Sequence, residues 1–209
     1  MRFFTIYCSI ILIAFVLAGV LPAAGEQQIY ERTVRLHVLA ASDGEEDQRI
    51  KYEVRDAILE CFGSELANFA NSEEATAYLS SRLSDIEAEA NRILNENNVG
   101  YSAKAVLSKE SYPRREYENV ALPAGEYTSL RVCLGEAQGQ NWWCVLFPPL
   151  CVSSALGEDV TDTEDAFIEA GFTPEEYKLV TGQSDKYILR FRILELLQEL
   201  SSNISKRFN

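Results

Sequence analysis

Histidine occurs once in this chain, at His37, and that scarcity removes most catalytic plans. A Cys-His or Ser-His centre would have to use this one imidazole, and nothing in the spacing links it to a nucleophile. Neither a Gly-x-Ser-x-Gly elbow nor a Ser-x-x-Lys pair occurs, so nucleophilic serine chemistry has no local support. A Cys-x-x-Cys knuckle is also missing. A zinc site would therefore need Cys61 and Cys133 to converge on Cys144 and Cys151. Basic residues are few, 19 Lys and Arg against 32 Asp and Glu, for a formal net charge of −13. Such a chain does not seek nucleic acid, and electrostatics alone do not draw it to an anionic bilayer.

Other motifs fail on spacing. Gly135 to Gly139 opens no helix and has no Lys-Ser or Lys-Thr after it, so it reads as a strand connection and not a phosphate loop. Asp159, Asp162, Glu164 and Asp165 lack the alternating ligands and central glycine of an EF-hand. Carboxylates are so plentiful that no pair stands out for glycosidase-type chemistry. Internal repeats and low-complexity tracts are absent. The reading assigns no catalytic residue, no metal ligand and no cofactor.

One long uncharged run is present, from Phe3 to Leu21, with Arg2 ahead of it and Pro22-Ala23-Ala24-Gly25 behind. Residues 1–25 read as a signal peptide cleaved after small residues, or as an uncleaved membrane anchor, since a span needs roughly 20 residues. Either way, Arg2 on the inside sends residues from Glu26 onward out of the cytoplasm. Cys8 lies in the leader, leaving Cys61, Cys133, Cys144 and Cys151 where disulfides persist. Four cysteines allow three pairings. Cys144 and Cys151 are close in sequence and flank Pro148-Pro149, which makes them the first choice, with the pairing of Cys61 and Cys133 left open.

Thr33 to Ala41 alternates Val34, Leu36, Val38 and Ala40 with Arg35 and His37, the pattern of a half-buried strand whose histidine is exposed. Ser42-Asp43-Gly44-Glu45-Glu46 then supplies a helix N-cap and acidic first-turn residues. Ile50, Val54, Ala57, Ile58 and Cys61 follow at helical spacing, which places Cys61 in the core, and Gly63 is a candidate break. Asn71-Ser72 starts a second helix whose apolar period runs from Ala75 to Leu94 and on to Asn97-Asn98. Tyr101 to Leu107 alternates as a strand, Tyr112-Pro113 begins a turn region, and Leu122 to Tyr127 forms a tight turn before a strand carrying Leu130, Val132 and Leu134. These elements predict an α+β domain over residues 32–152, a small, largely antiparallel sheet with two helices packed on one face. Residues 153–209 read as an acidic linker and a tail, in which 186–200 forms an amphipathic helix.

The most distinctive stretch is Asn141 to Cys151, which holds both tryptophans, two cysteines and the Pro-Pro pair. Successive strand residues alternate faces, so Trp142, Cys144 and Leu146 line one side while Trp143, Val145 and Phe147 line the other. Both sides are apolar. The strand is then covered on both, or one is kept for a partner. Trp142, Trp143, Phe147, Pro148, Pro149 and Tyr127 are the candidate partner-binding residues, since aromatic side chains anchor interfaces.

The chain resembles the stage II sporulation protein R family over roughly residues 32–152. The resemblance is carried by Arg35 to Asp43, by Asp47-Gln48 and Val54 to Ala57, by Tyr112-Pro113 with Tyr117, by Leu122 to Tyr127, and most strongly by Asn141 to Cys151. It implies a protein made in the forespore and exported into the space between two membranes. There it would switch on a membrane-embedded aspartic protease that cleaves the sigma-E precursor, acting as a ligand and not as an enzyme. Ala41 stands where the family tends to have Asn, and Ala137 where its glycine-rich connection has a middle Gly. Without that Gly the connection is expected to take another turn type. Two readings from other classes are an extracytoplasmic carboxylate-dependent hydrolase acting on wall material and a non-enzymatic envelope scaffold.

Overall fold

The computed structural model describes residues 6–7, 26–117, 120–151 and 163–181. In chain order the elements are α1 (Glu26–Glu31), β1 (Val34–Leu39), α2 (Glu45–Leu66), α3 (Ser72–Ser81), α4 (Leu83–Glu96), β2 (Ala103–Tyr112), β3 (Arg115–Tyr117), β4 (Val120–Leu122), β5 (Gly125–Leu134), β6 (Asn141–Phe147), α5 (Thr163–Glu169) and α6 (Pro174–Val180). The main sheet has four strands in the order β2-β5-β1-β6, and β3 pairs with β4 in a separate two-stranded sheet. β1 runs parallel to β5, with Leu36 beside Leu130 and Val38 beside Val132, while the β2–β5 and β1–β6 pairs are antiparallel. This is the α+β architecture expected from the sequence, with helices on one face of a small sheet.

The sheet's helix-facing side is built by alternation. Val34, Leu36 and Val38 of β1 and Leu130, Val132 and Leu134 of β5 have no exposed surface, and they share one core with Ile50, Val54 and Ile58 of α2 and Ile86, Ala90 and Leu94 of α4. Each Val, Leu or Ile among them contributes roughly 1.5–3 kcal/mol by leaving water. α2 does not break at Gly63. Its core stripe advances from Ile58 through Phe62 to Leu66, all buried. Steps of four residues carry that stripe past Cys61, which is exposed and not in the core. Within the expected stretch Ser42 to Glu46 the N-cap of α2 is Gly44, with Glu45 and Glu46 in the first turn, and no side chain caps the helix. The Ser42 hydroxyl accepts from the Gly44 N–H at 3.1 Å and donates to Asp47.

The long apolar period after Asn71 is split between two helices at Arg82, whose φ of −106° and ψ of 5° are not helical. Asn71 caps α3 as expected, its side chain accepting from the Glu74 N–H at 2.9 Å. The break lets α3 pack on β1 and α4 on β2, which one straight rod could not do across a twisted sheet.

Within the segment that the sequence reading gives to linker and tail, residues 163–181 form two helices. Phe167, Ala170, Phe172 and Val180 join the common core. Arg32 holds α6 against α1 by donating to the Glu176 carboxylate at 2.6 Å. The leader, apart from residues 6–7, and the amphipathic helix expected over 186–200 lie outside the described residues. Among the described residues no helix is long and apolar enough to cross a membrane.

Candidate functional site

The sheet face turned away from the helices carries the polar half of β1. Arg35 and His37 stand in cross-strand rows with Ser129 and Arg131 of β5 and with Val145 and Trp143 of β6. β1 is therefore covered on both faces, not half-buried: Arg35 has 0% exposure. Alternation marks which residues turn away from the helices, but it does not reveal that tyrosines from β2, β3 and β5 close over them.

Arg35 sits in an aromatic cage. Its guanidinium carbon lies 4.0 Å from the ring centroid of Tyr112, 5.0 Å from that of Tyr127 and 5.5 Å from that of Tyr117. One terminal nitrogen donates to the Tyr117 hydroxyl, while Nε and Nη1 have no hydrogen-bond partner among the described residues. The cage is itself fixed. Tyr112 and Ser129 share a hydroxyl hydrogen bond of 2.7 Å, Tyr127 donates to the Pro123 carbonyl at 2.6 Å, and the Tyr112 and Tyr127 rings meet edge-on at 5.8 Å. Burial raises the ionisation of all three phenols above the ordinary tyrosine range, against a smaller downward pull from Arg35. They stay neutral near pH 7, and the attraction holding Arg35 is that of ring faces for a cation, not of a phenolate.

His37 lies one row along. Its Nδ1 is 3.1 Å from Glu110 Oε2 and its Nε2 is 3.0 Å from Asn141 Oδ1. Arg131 donates to the other Glu110 oxygen at 3.2 Å. The expected exposed histidine is thus enclosed, with 13% of its side chain accessible. Engaged at both nitrogens, the ring ties β1 to β2 and β6. The Trp143 ring lies 5.6 Å from His37, and the Arg115 guanidinium covers it at 4.0 Å.

On the helix side, Arg55 of α2 lies 4.8 Å from the Trp142 ring and 4.9 Å from that of Tyr52. Each tryptophan is therefore half-buried beneath an arginine from a different element. Cys144 and Cys151 bring their sulfurs into disulfide contact, with Cα atoms 6.2 Å apart. Of the other candidate contact residues, Pro149 is half-buried, whereas Phe147, Pro148 and Tyr127 are interior. Those three shape the site from beneath. Among the described residues no group of three or more His, Cys, Asp or Glu side chains could hold a metal ion.

Sequence reasoning singled out Trp142 and Trp143 but not Arg35, Tyr112 and Arg115, which the structure brings together with Trp143. The available signal was an arginine inside an otherwise apolar strand, which demands a partner wherever the strand is covered on both faces.

The family model described as Stage II sporulation protein R matches residues 30–156, a span from α1 past β6 that contains the whole of this site. The chain is also similar to the Stage II sporulation protein R of Bacillus subtilis (strain 168), at 35% identity over 159 residues, covering 76% of this chain and 71% of that protein. No solved structure matches it.

Proposed function

Since this chain belongs to the stage II sporulation protein R family, we propose that it is an exported signalling protein of sporulation and the activating ligand of a membrane-embedded protease. It is made in the forespore and carried by its leader into the space between the two membranes. There it engages the aspartic protease that processes the sigma-E precursor. The observation that carries this reading is the family match over residues 30–156, which includes both tryptophans and the arginines that cover them.

As a ligand the chain acts through differential affinity. To take a protease from mostly inactive to mostly active, it must bind the active form roughly 10⁴-fold more tightly than the inactive one. Trp142, Trp143 and Pro149, each half-buried, supply the accessible apolar part of that contact, while Phe147, Pro148 and Tyr127 hold its shape. The Cys144–Cys151 bridge fixes the turn after β6, in keeping with an oxidising compartment.

Co-expression of the chain with the membrane protease and the sigma-E precursor in a non-sporulating host tests this. Processing should depend on the chain and should fall with a folded Trp142→Ala, Trp143→Ala double variant. Absence of processing with the wild-type chain would refute the reading.

A further inference from the structure

The two edges of the main sheet are finished differently. On β2, the side chain of Asn91 in α4 accepts from the Ala103 N–H at 2.8 Å and donates to the Ala103 carbonyl at 3.2 Å, while Glu87 accepts from the Ala105 N–H at 3.1 Å. Those outward backbone groups are occupied by the protein's own side chains, one way of blunting an edge.

β6 forms the opposite edge. Its Val145 N–H points away from β1, to the Cys151 sulfur at 3.3 Å. Backbone groups of alternate residues in an antiparallel strand point the same way, so those of Trp143 and Asn141 face outward too. Among the described residues no hydrogen bond reaches them. The turn that returns to Cys151 thus closes one half of the edge, and among the described residues nothing pairs with the half containing both tryptophans.

Charge says what fits there. Arg115 lies over the Trp143 ring, its Nε has no hydrogen-bond partner, and no carboxylate pairs with it among the described residues. It is a local cation beside a strand edge that no described residue pairs with, and a carboxylate is the group it would take.

We propose that Asn141–Trp143 receives an extended acidic segment of the partner protease as an added strand, with a carboxylate of that segment on Arg115. Main-chain hydrogen bonds then supply the common part of the contact, and the ring of Trp143 with Arg115 supplies the selection. The proposal rests on the reading above only for the owner of the strand.

Two experiments separate this inference from that reading. The first follows amide exchange in the full chain, in detergent, with two capped decapeptides of alternating valine and threonine, one carrying glutamates and the other lysines at the same positions. The glutamate peptide should slow exchange at Asn141 and Trp143, and Arg115→Glu should reverse the preference. Unchanged exchange, or equal effects of the two peptides, would overturn the proposal. So would both amides being protected already in the free chain, or a concentration-dependent dimer abolished by Trp143→Pro, since either gives the edge another occupant.

The second compares Trp143→Ala with Trp143→Pro in the processing assay, with melting temperature checked. Proline is tolerated where an edge N–H faces outward. The proline variant should process about tenfold less precursor than the alanine variant, the effect of one lost backbone hydrogen bond. Equal processing by two folded variants would show that only the ring acts and would overturn strand addition. Should the proline variant not fold, or wild type drive no processing, the peptide result decides the edge by itself.

Discussion

Arg35 lies face-on to Tyr112, its guanidinium carbon 4.0 Å from the ring centroid, with no exposed surface and no carboxylate partner among the described residues. A buried cation is ordinarily paired with an anion. Here three neutral rings and one hydroxyl take that role, which a planar, delocalised guanidinium tolerates better than a compact ammonium.

Exchange of Arg35 for lysine should therefore cost more stability than exchange for methionine. Arg35→Lys keeps a buried charge while losing the stacking and the Tyr117 hydrogen bond, at a cost of about 3 kcal/mol. Arg35→Met removes the charge with little change of volume and should cost on the order of 1 kcal/mol. Urea denaturation of the two variants measures the difference, and a lysine variant as stable as the methionine variant would contradict the cage argument.

The caged phenols make stability pH-dependent on the alkaline side. Burial raises the folded-state ionisation of Tyr112, Tyr117 and Tyr127 above the unfolded value of about 10. The unfolded chain therefore loses protons first as pH rises. Their contribution is fully present below about pH 10 and declines above it, because the unfolded state then binds fewer protons than the folded one. Unfolding free energy measured between pH 8 and 11 should fall across the upper part of that range, and Tyr112→Phe should flatten the fall.

The connection before β6 contains two positions with opposite demands. Ala137 adopts φ +52°, keeping the left-handed conformation that the missing glycine was expected to remove. Ala137→Gly should stabilise the protein by about 1 kcal/mol. A side chain at Gly139 would meet the Ser42 carbonyl oxygen at 2.2 Å. The Gly139 N–H also donates to Ala40 at 3.0 Å, so the backbone has little room to move. Gly139→Ala should cost about 2–3 kcal/mol. Thermal melting of the two variants should therefore show shifts of opposite sign.

Cys144 and Cys151 should resist alkylation in the folded, non-reduced protein, whereas Cys61 and Cys133 should react once the chain is denatured without reductant. Mass spectrometry of the alkylated chain reads this directly. Cys144→Ser should lower stability by roughly 2–3 kcal/mol, the loop-closure contribution of so short a ring.

Much of the fold was legible because alternation and helical period are properties of neighbouring residues. The Val34–Val38 strand face, the Asn71 cap and the aromatic Asn141 to Phe147 strand needed no tertiary information. The break at Arg82 did, since the apolar period continues through it and only packing on β1 and β2 divides the helix. Cys61 was misplaced for a related reason. It lies three residues from Ile58 and so shares the local period, but the buried surface follows the four-residue steps to Phe62 and Leu66.

The sequence by itself determined the class of molecule: an acidic chain with a long uncharged run near its start, one histidine, no nucleophile motif and an aromatic stretch, Asn141 to Cys151, bearing two cysteines. Those properties are sums over residues or spacings along the chain. Tertiary structure alone decided that Arg35 is caged by Tyr112, Tyr117 and Tyr127, that Arg55 and Arg115 cover the two tryptophans, and that β6 is an edge. Each relation joins residues far apart in the chain, and a strand's own pattern does not reveal which neighbour it lacks.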